Sequence, residues 1–364
     1  MTQRPDRLHV RGRLLPDAEP CDLYVVDGRI SDEPTAGATT IATDLWLVPG
    51  LVDAHCHVGL GPEGAVDADE QERQAIADRD AGVLVIRDCG VPTDTRWIDD
   101  RDDLPHIVRA GRHLARPRRY LRGVGVELEP EQLPDAVAEQ ARAGDGWVKL
   151  VGDWIDRDSG DLAPCWPGDV VAEAIRRAHA EGARVTAHIF GEGGLDDLID
   201  AGIDCLEHGT GLSMDQLERM AARGTALVPT LINIATFPDI AARAERFPTY
   251  ARHMLALHAG VGRMVRSAHE AGVPIYAGTD AGGGIRHGRI ADEVVALHAA
   301  GLPAVDALAA ASWSARAWLG RPAATASGVI ADLVGYPADP RAEPAVVQHP
   351  SLVVLRGRVV TPGR

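Results

Sequence analysis

Two histidines separated by one residue stand at the end of an apolar run near position 55. His55 and His57 follow Leu51-Val-Asp-Ala. Alternate side chains of a strand point to the same face, so the two imidazoles could bind one metal ion. A chain with 14 histidines can also carry such a pair by chance. The pair alone therefore leaves a metal site and two ordinary core histidines open.

Four further polar residues stand at the ends of later apolar runs or within them. They are Lys149, His188, His208 and Asp280. Each alone has an ordinary explanation, such as a hydrogen-bonded core histidine for His188 or a helix N-cap for Asp280. Their shared placement on strands is much harder to explain by chance. We therefore predict that all four belong to one site with the histidine pair.

Lys149 needs a separate explanation because an ammonium group repels a cation. It lies between Val148 and Leu150, so we expect it to be at least partly buried, where the charged form is disfavoured. A neutral amine can add carbon dioxide, and the resulting carbamate could bridge two ions about 3.5–4 Å apart. We predict a carboxylated Lys149, with a simple structural lysine as the alternative.

Short apolar strands alternate with Ala-rich helical segments through the middle of the chain, which is typical of a parallel α/β architecture. The eight predicted strands are Leu51–Val58, Val83–Cys89, Tyr120–Val126, Trp147–Gly152, Arg184–Phe190, Cys205–Gly209, Ala226–Ile232 and Ile275–Ala281. Eight such units in about 270 residues predict a (β/α)8 TIM-like barrel, whose carboxyl strand ends meet at one mouth. A doubly wound sheet is the alternative.

The two ends of the chain instead contain short strands and turns. Leu23–Ile30 is an apolar run that contains Asp-Gly, and Leu352–Val360 has a similar pattern. We predict that residues 1–49 and 325–364 form one small β-sandwich domain. Residues 50–324 would form the barrel between its two parts.

Composition limits the partners and the compartment. The net charge of −16 disfavours a nucleic-acid partner, because a phosphate-binding surface normally carries a basic excess. The five cysteines are scattered without a C-x-x-C pair, which disfavours both a zinc ribbon and a disulfide framework. No apolar run in the sequence is long enough to predict a signal peptide or a membrane-spanning helix. We predict a cytoplasmic protein with no membrane partner and leave a homo-oligomer open.

Several motifs, in order along the chain, resemble those of the amidohydrolase superfamily and, within it, the imidazolonepropionase-like and Xaa-Pro dipeptidase-like branch. The matching pieces are Leu45–His57, Ile86–Gly90, Leu206–Thr210, Val228–Leu231, Ala277–Gly282 and His287-Gly288 followed by Glu293. The resemblance extends from Leu45 to Val334 and so covers almost the whole chain.

The resemblance implies a metal-dependent hydrolase that cleaves a C–N bond, amide or peptide-like, in a small molecule. His55, His57 and Asp280 would bind one ion and His188 and His208 the second, with carboxylated Lys149 as the bridge. Zinc is the expected metal, and Mn, Fe or Co stay open. A hydroxide bridging the ions would attack the carbonyl, with Asp280 as general base and then general acid.

Neighbouring residues could orient the ligands or contact the substrate. Asp88, Glu207 and Thr279 are candidates for orienting the imidazoles, and Thr230 and His287 for facing the substrate. Trp154 belongs to a bulky segment after Lys149, where the branch usually has a small Gly-rich one, so the sequence does not predict a dipeptide substrate. The segment Leu121–Val126 also lacks a histidine often found in relatives. Arg119 and Arg122 could receive a substrate carboxylate, although a solvated surface role is the simpler prediction.

Two other functions stay open at the level of sequence. The first is a mononuclear deaminase or cyclic amide or amidine hydrolase of the same superfamily, in which a Glu near strand five assists proton transfer. Glu192, four residues after His188, keeps this alternative open. The second is an inactive metal-binding scaffold protein, and the complete ligand set argues against it.

Overall fold

The computed structural model describes residues 7–322 and 326–360. Its strands are β1 (Arg7–Leu14), β2 (Glu19–Val26), β3 (Arg29–Ser31), β4 (Thr39–Pro49), β5 (Leu51–Cys56), β6 (Leu60–Gly61), β7 (Gly64–Ala65), β8 (Val83–Asp88), β9 (His106–Arg109), β10 (Leu114–Ala115), β11 (Val126–Glu127), β12 (Trp147–Val151), β13 (Asp153–Asp156), β14 (Asp161–Pro164), β15 (Arg184–Ile189), β16 (Cys205–His208), β17 (Ala226–Val228), β18 (Leu333–Tyr336), β19 (Leu352–Leu355) and β20 (Arg358–Val360). Its α-helices are α1 (Ala68–Asp80), α2 (Leu133–Ala143), α3 (Gly168–Ala180), α4 (Leu195–Asp200), α5 (Met214–Arg223), α6 (Leu231–Ile234), α7 (Phe237–Arg243), α8 (Pro248–Glu270), α9 (Ile290–Ala300), α10 (Ala304–Ala310) and α11 (Trp313–Trp318).

The middle of the chain is an α/β arrangement of mostly parallel strands. β5, β8 and β9 form one parallel sheet, and β11, β10, β12, β15, β16 and β17 form another in that order. Every residue of β5, β8 and β12 is buried, as expected for parallel strands covered on both faces. The predicted parallel α/β architecture is confirmed, and closure into a (β/α)8 TIM-like barrel stays a prediction.

The predicted third strand, Tyr120–Val126, is wrong. Residues 120–125 form turns, and β9 and β10 occupy this place in the sheets. Gly123 has a φ of +78°, in the left-handed region that a regular strand does not use.

The predicted eighth strand, Ile275–Ala281, is an extended segment without regular pairing. Ile275 forms an isolated parallel bridge with Leu227, and Ala281 forms one with Cys56. The segment therefore lies between β17 and β5. Gly278 makes this approach possible, because a Cβ atom there would stand 2.6 Å from the Cβ of His55.

Helices cover the outer faces of the parallel strands. α3 buries Val171, Ala174, Ile175 and Ala178, a spacing of three and four residues that directs one apolar stripe toward the strands. α5 begins at a Ser213 capping box and is followed by Gly224 in the left-handed conformation. Among the described residues, no helix is long and apolar enough to cross a bilayer.

Strands from both chain ends pair in one seven-stranded sheet. Its order is β20, β19, β18, β4, β1, β2 and β3. Leu8, Val10, Leu47, Leu333 and Val354 form part of its own apolar cluster. The second sheet of the predicted β-sandwich and the division into two domains stay predictions, and the predicted boundary between residues 324 and 325 lies outside the described residues.

Candidate metal centre

The end of β5 and the segment after Gly278 bring three proposed ligands together. His55 Nε2 and His57 Nε2 lie 3.2 Å apart. Asp280 Oδ1 lies 3.1 Å from the first nitrogen and 3.0 Å from the second. Both imidazoles are nearly inaccessible, whereas the Asp280 side chain is 20% exposed. Solvent therefore reaches this group of atoms at the carboxylate.

The outer nitrogens of both imidazoles have partners that only accept. His57 Nδ1 lies 2.8 Å from the carbonyl oxygen of Gly90, and His55 Nδ1 lies 2.7 Å from Glu207 Oε2. Each Nδ1 must therefore carry a proton, and in a neutral imidazole Nε2 is then a lone pair. With both imidazoles neutral, two nitrogen lone pairs and the Asp280 oxygen would face one another. Three acceptors at this spacing fit a bound cation.

The charges of neighbouring carboxylates act on the same group of atoms. Burial and the Lys149 charge lower the pKa of His55, but the carboxylates of Glu207 and Asp280 outweigh them and raise it. Burial alone would raise the pKa of Asp280, but the neighbouring histidines hold it well below its usual range. The carboxylates thus stabilise positive charge here, whether it is a proton or a metal ion.

A second pair of ligand atoms comes from β15 and β16. His188 Nδ1 and His208 Nε2 lie 3.0 Å apart, and the ring of His208 lies 5.2 Å from that of His55. Burial lowers the pKa of His208 to about 3 and holds that of His188 well below its usual value. Both imidazoles are therefore neutral, the form that binds metal ions.

Lys149 lies in the middle of β12 and pairs there with Thr186 of β15. It is 1% exposed, and its Nζ has no hydrogen-bond partner among the described residues. A buried ammonium group without a partner is strongly unfavourable. Conversion to a carbamate, with release of a proton, would replace the ammonium by an anionic group whose oxygens a metal ion could bind, so this residue fits the predicted bridge.

Three residues of this region have left-handed backbones. His208, Thr230 and Asp280 have φ values of +68°, +47° and +57°. Such conformations are rare for residues with a side chain and are frequent at functional sites. Here each one follows or ends an extended segment and turns its side chain toward the ligand cluster.

Glu207 connects a proposed ligand to a buried guanidinium. Its Oε2 accepts from His55, and its Oε1 lies 2.6 Å from Arg87 Nη2. Both charged side chains are fully buried, and the guanidinium lies over the rings of Trp147 and Trp318. Glu207 thus occupies the orienting position that the sequence predicts. Arg87 was not predicted, although a charged residue within the apolar run of β8 is a usable signal.

Asp88 and Thr279 orient backbone segments and make no hydrogen bond to an imidazole. Asp88 Oδ1 accepts from the backbone N–H of Gly90, the residue whose carbonyl receives His57. Thr279 donates through Oγ1 to Asp53 Oδ2 at 2.5 Å. Asp53 also accepts from the backbone N–H of His55, so it joins β5 to the segment that carries Asp280.

Thr230 and His287 have different surroundings. Thr230 Oγ1 lies 2.7 Å from His208 Nδ1 and so orients a proposed ligand. His287 Nδ1 lies 2.8 Å from Asp78 Oδ2 on α1 and 3.4 Å from Cys56 Sγ. These contacts join the loop after Asp280 to α1, and the ligand atoms lie elsewhere.

Comparison with known proteins identifies the family. Residues 46–360 match the Amidohydrolase family. The chain belongs to this family. Proteins of Mycobacterium tuberculosis (strain ATCC 25618 / H37Rv) and Mycobacterium bovis, both described as uncharacterized, are 63% identical over 361 residues, which cover 99% of this chain and 97% of theirs.

Solved structures show the same fold. A Xaa-Pro dipeptidase with bound methionine has a TM-score of 0.81 at 22% identity, covering 97% of this chain and 99% of that chain. A proposed prolidase from Bifidobacterium longum has a TM-score of 0.84 at 24% identity, covering 99% of this chain and 96% of that chain. The A. niger ochratoxinase has a TM-score of 0.77 at 22% identity, covering 97% of this chain and 96% of that chain. The predicted resemblance to amidohydrolases with Xaa-Pro dipeptidase-like neighbours is confirmed.

In this amidohydrolase, the bulky segment after Lys149 is the hairpin of β13 and β14. Trp154 lies on it, with its ring 5.3 Å from that of His188. Arg119 Nη2 donates to the carbonyl oxygens of Trp154 and Ala163, one on each strand, and thereby holds the hairpin. This guanidinium has a structural role, and Arg122 is exposed.

Glu192 does not approach the ligand atoms. Its Oε2 lies 3.0 Å from His253 Nε2 on α8, and its side chain is 62% exposed. The deaminase alternative needs a carboxylate beside the metal, so this placement removes the feature that kept it open.

Asn233 is a site residue that the sequence did not reveal. Its Nδ2 donates to Asp280 Oδ2 at 2.6 Å. The turn that carries it is held by Glu293, which accepts from the backbone N–H groups of Leu231 and Ile232. An asparagine in a short helix gives no sequence signal, because the contact with Asp280 joins residues 47 positions apart.

Proposed function

We propose that this amidohydrolase is a binuclear metal-dependent enzyme that cleaves a C–N bond, most simply an amide, in a small molecule. The observation that carries the proposal is the meeting of His55 Nε2, His57 Nε2 and Asp280 Oδ1 within 3.2 Å of one another. The neutral pair His188 and His208 lies beside them, and the buried Lys149 amine without a partner fits the carbamate bridge.

Zinc is the metal we propose, because imidazole and carboxylate ligands suit it. His55, His57 and Asp280 would hold one ion, and His188 and His208 the other, with carboxylated Lys149 shared between them. Two such ions supply Lewis acidity toward a carbonyl and lower the pKa of water toward neutrality.

Asp280 is the proposed proton carrier. Its Oδ1 lies among the ligand atoms, which leaves Oδ2 to accept the proton of the attacking water. Asn233 donates to this Oδ2 and so fixes the carboxylate plane. The same oxygen would then return the proton to the departing amine. The 20% exposure of Asp280 gives substrate and water access to it.

The substrate class follows from the carbonyl chemistry and from the fold. Two structural neighbours, a Xaa-Pro dipeptidase and an ochratoxinase, are consistent with C–N bond cleavage on this fold. The hairpin of β13 and β14 stands beside His188 and restricts the space next to the reacting bond. We therefore propose a small amide and do not propose a general dipeptidase.

Metal analysis tests the proposal. Purified protein should contain two equivalents of zinc per chain by mass spectrometry, and activity on a panel of amides should depend on both. Chelation should abolish the activity, and zinc with bicarbonate should restore it more fully than zinc alone. Asp280→Asn should lower kcat by at least about a hundredfold.

Lys149→Ala separates the binuclear proposal from a single-ion site. It should reduce the metal content to one equivalent or less, whereas Lys149→Glu, which keeps a carboxylate, should retain more metal. The carbamate bridge would be contradicted if the native protein bound one equivalent of zinc and its activity did not increase when bicarbonate was added. Unchanged activity in Asp280→Asn would contradict the proton carrier.

A further inference from the structure

Seven rings follow one another around the metal centre in a closed circuit, with successive centroids 4.7–5.3 Å apart. In order they belong to His55, His57, His113, Tyr120, Trp154, His188 and His208. Four of them are the proposed metal ligands. The remaining three, called the aromatic arc below, are His113, Tyr120 and Trp154. They close the circuit without a role in metal binding.

The aromatic arc borders the accessible side of the centre. Tyr120 and Trp154 are half-buried, whereas His55 and His57 are almost completely buried. Asp280, whose side chain is 20% exposed, is the most accessible of the three residues in its ligand group.

His113 is the polar member of the aromatic arc that lacks a partner. It is fully buried, and neither ring nitrogen has a hydrogen bond within residues 7–322 and 326–360. A neutral imidazole offers one donor and one acceptor. Buried polar atoms without partners are rare and unfavourable. A bound molecule with a complementary atom would satisfy them.

We propose that the aromatic arc is a substrate subsite for a planar aromatic ring that carries a hydroxyl group or a ring nitrogen. Tyr120 and Trp154 would contact the ring by stacking or edge-to-face packing, and His113 would hydrogen-bond its polar atom. This assignment rests on the proposed function, because it places the ring next to the amide that is cleaved. It adds a substrate class to the metal chemistry.

The ring preference is tested with matched amides. The zinc-loaded protein is tested on two series of matched substrates. One series compares benzoyl with acetyl amides of the same amines, and the other compares anilides with methylamides of the same acids. In every pair that is hydrolysed, the aromatic member should have a kcat/KM about tenfold higher than the aliphatic member. Trp154→Leu should lower the ratio of kcat/KM between the aromatic and the aliphatic member to about one. Trp97→Leu, at a half-buried tryptophan bound to Gln71, is the matched control and should keep the preference.

The role of His113 is tested by binding, without turnover. Calorimetry on zinc-loaded Asp280→Asn compares hydroxybenzoyl and nicotinoyl glycine with benzoyl glycine. At least one polar ring should bind about tenfold more tightly than the phenyl ring. The additional change His113→Phe, which keeps a ring of similar size, should abolish the difference and retain the zinc.

The outcomes separate this proposal from the proposed function. If amides are hydrolysed without an aromatic preference, or if no aromatic member binds more tightly than its aliphatic counterpart, the subsite is wrong. Loss of zinc in His113→Phe would also overturn it, since His113 would then act on the metal. Selective binding of polar rings without hydrolysis of any amide would support the subsite and contradict the proposed function.

Discussion

Glu207 is a buried side chain that contacts a proposed metal ligand without being a proposed ligand itself. It accepts from His55 on one side and from Arg87 on the other, and the hydroxyl of Thr186 also donates to it. The Arg87 guanidinium and neighbouring charges outweigh burial and hold the pKa of this carboxyl well below its usual range. The carboxylate therefore stays ionised and keeps the His55 proton on Nδ1, which leaves Nε2 free for a metal ion.

Replacing Glu207 by Gln should affect stability and metal binding together. The amide has no charge to balance the buried guanidinium of Arg87, and breaking a buried ion pair in this way lowers the free energy of unfolding by about 3–5 kcal/mol. Zinc affinity should fall by about 10–100-fold because His55 loses its anionic partner. Urea denaturation and zinc titration measure the two effects. Glu218→Gln, at an exposed position of α5, is the control and should change neither.

At this scale the sequence indicates the proposed metal ligands better than the residues that contact them. His55, His57, Lys149, His188, His208 and Asp280 stand at recognisable positions on apolar segments, and their role as ligands stays a prediction. Asn233 and His113 could not be predicted as site residues, because nothing in their local sequence distinguishes them. Asn233 approaches Asp280 only through a turn that Glu293 holds from another helix. Such contacts exist only in the folded chain.

The hairpin of β13 and β14 is the element that gives the site its specific surroundings. It presents Trp154 to the ligand rings and is held by Arg119 on one side. On the other side, His253 of α8 lies 2.9 Å from Asp161 on the hairpin and 3.0 Å from Glu192 after β15. Burial lowers the pKa of His253, but its bonds to these two carboxylates outweigh burial and raise the pKa.

This contact predicts a pH-dependent docking of the hairpin. The raised pKa means that protonated His253 stabilises the folded state fully below the unfolded value of about 6.5, and this stabilisation is lost as the pH rises through the folded pKa. The pair is partly exposed, so the effect is at most about 1 kcal/mol. Hydrogen exchange of residues 153–164, corrected for intrinsic rates, should be slower at pH 6 than at pH 8.

His253→Gln should remove that pH dependence, whereas His258→Gln, on the same helix, should retain it. Equal pH dependence in His253→Gln and the native protein would show that another group controls the hairpin. If docking of the hairpin positions Trp154, the activity on aromatic amides should change with pH in parallel with the hydrogen exchange of the hairpin.

At the scale of elements, periodicity predicts most of the parallel strands, with small differences at their ends. It fails at the third strand because the apolar pattern of Tyr120–Val126 resembles a strand locally. The left-handed conformation of Gly123 is incompatible with a regular strand there. The hairpin also has no apolar alternation that would distinguish it from a loop. Its position depends on Arg119 and His253, which lie far from it in sequence.

Across the whole molecule, the sheet of the chain ends is joined to the parallel strands by a buried ion pair. Arg316 of α11 is 4% exposed, and its Nη2 lies 3.0 Å from Asp332 Oδ2, just before β18. The same guanidinium donates to the carbonyl oxygen of Gly50, between β4 and β5. Asp332 also accepts from the backbone N–H of Arg356. One pair thus joins three parts of the chain where the seven-stranded sheet meets the strand that carries the first ligands.

Asp332→Asn should therefore destabilise the molecule far more than the loss of an exposed pair across the same junction. It leaves the buried Arg316 uncompensated, so the free energy of unfolding should fall by about 3 kcal/mol. Arg358 and Asp102 cross the junction at side chains that are 36% and 62% exposed, and Asp102→Asn should cost less than about 1 kcal/mol. Urea unfolding of both variants, followed by fluorescence and by zinc release, measures the difference. Equal losses in the two variants would mean that the buried pair does not hold the junction. A larger loss in Asp332→Asn with coincident zinc release would mean that the terminal sheet stabilises the metal centre through Gly50.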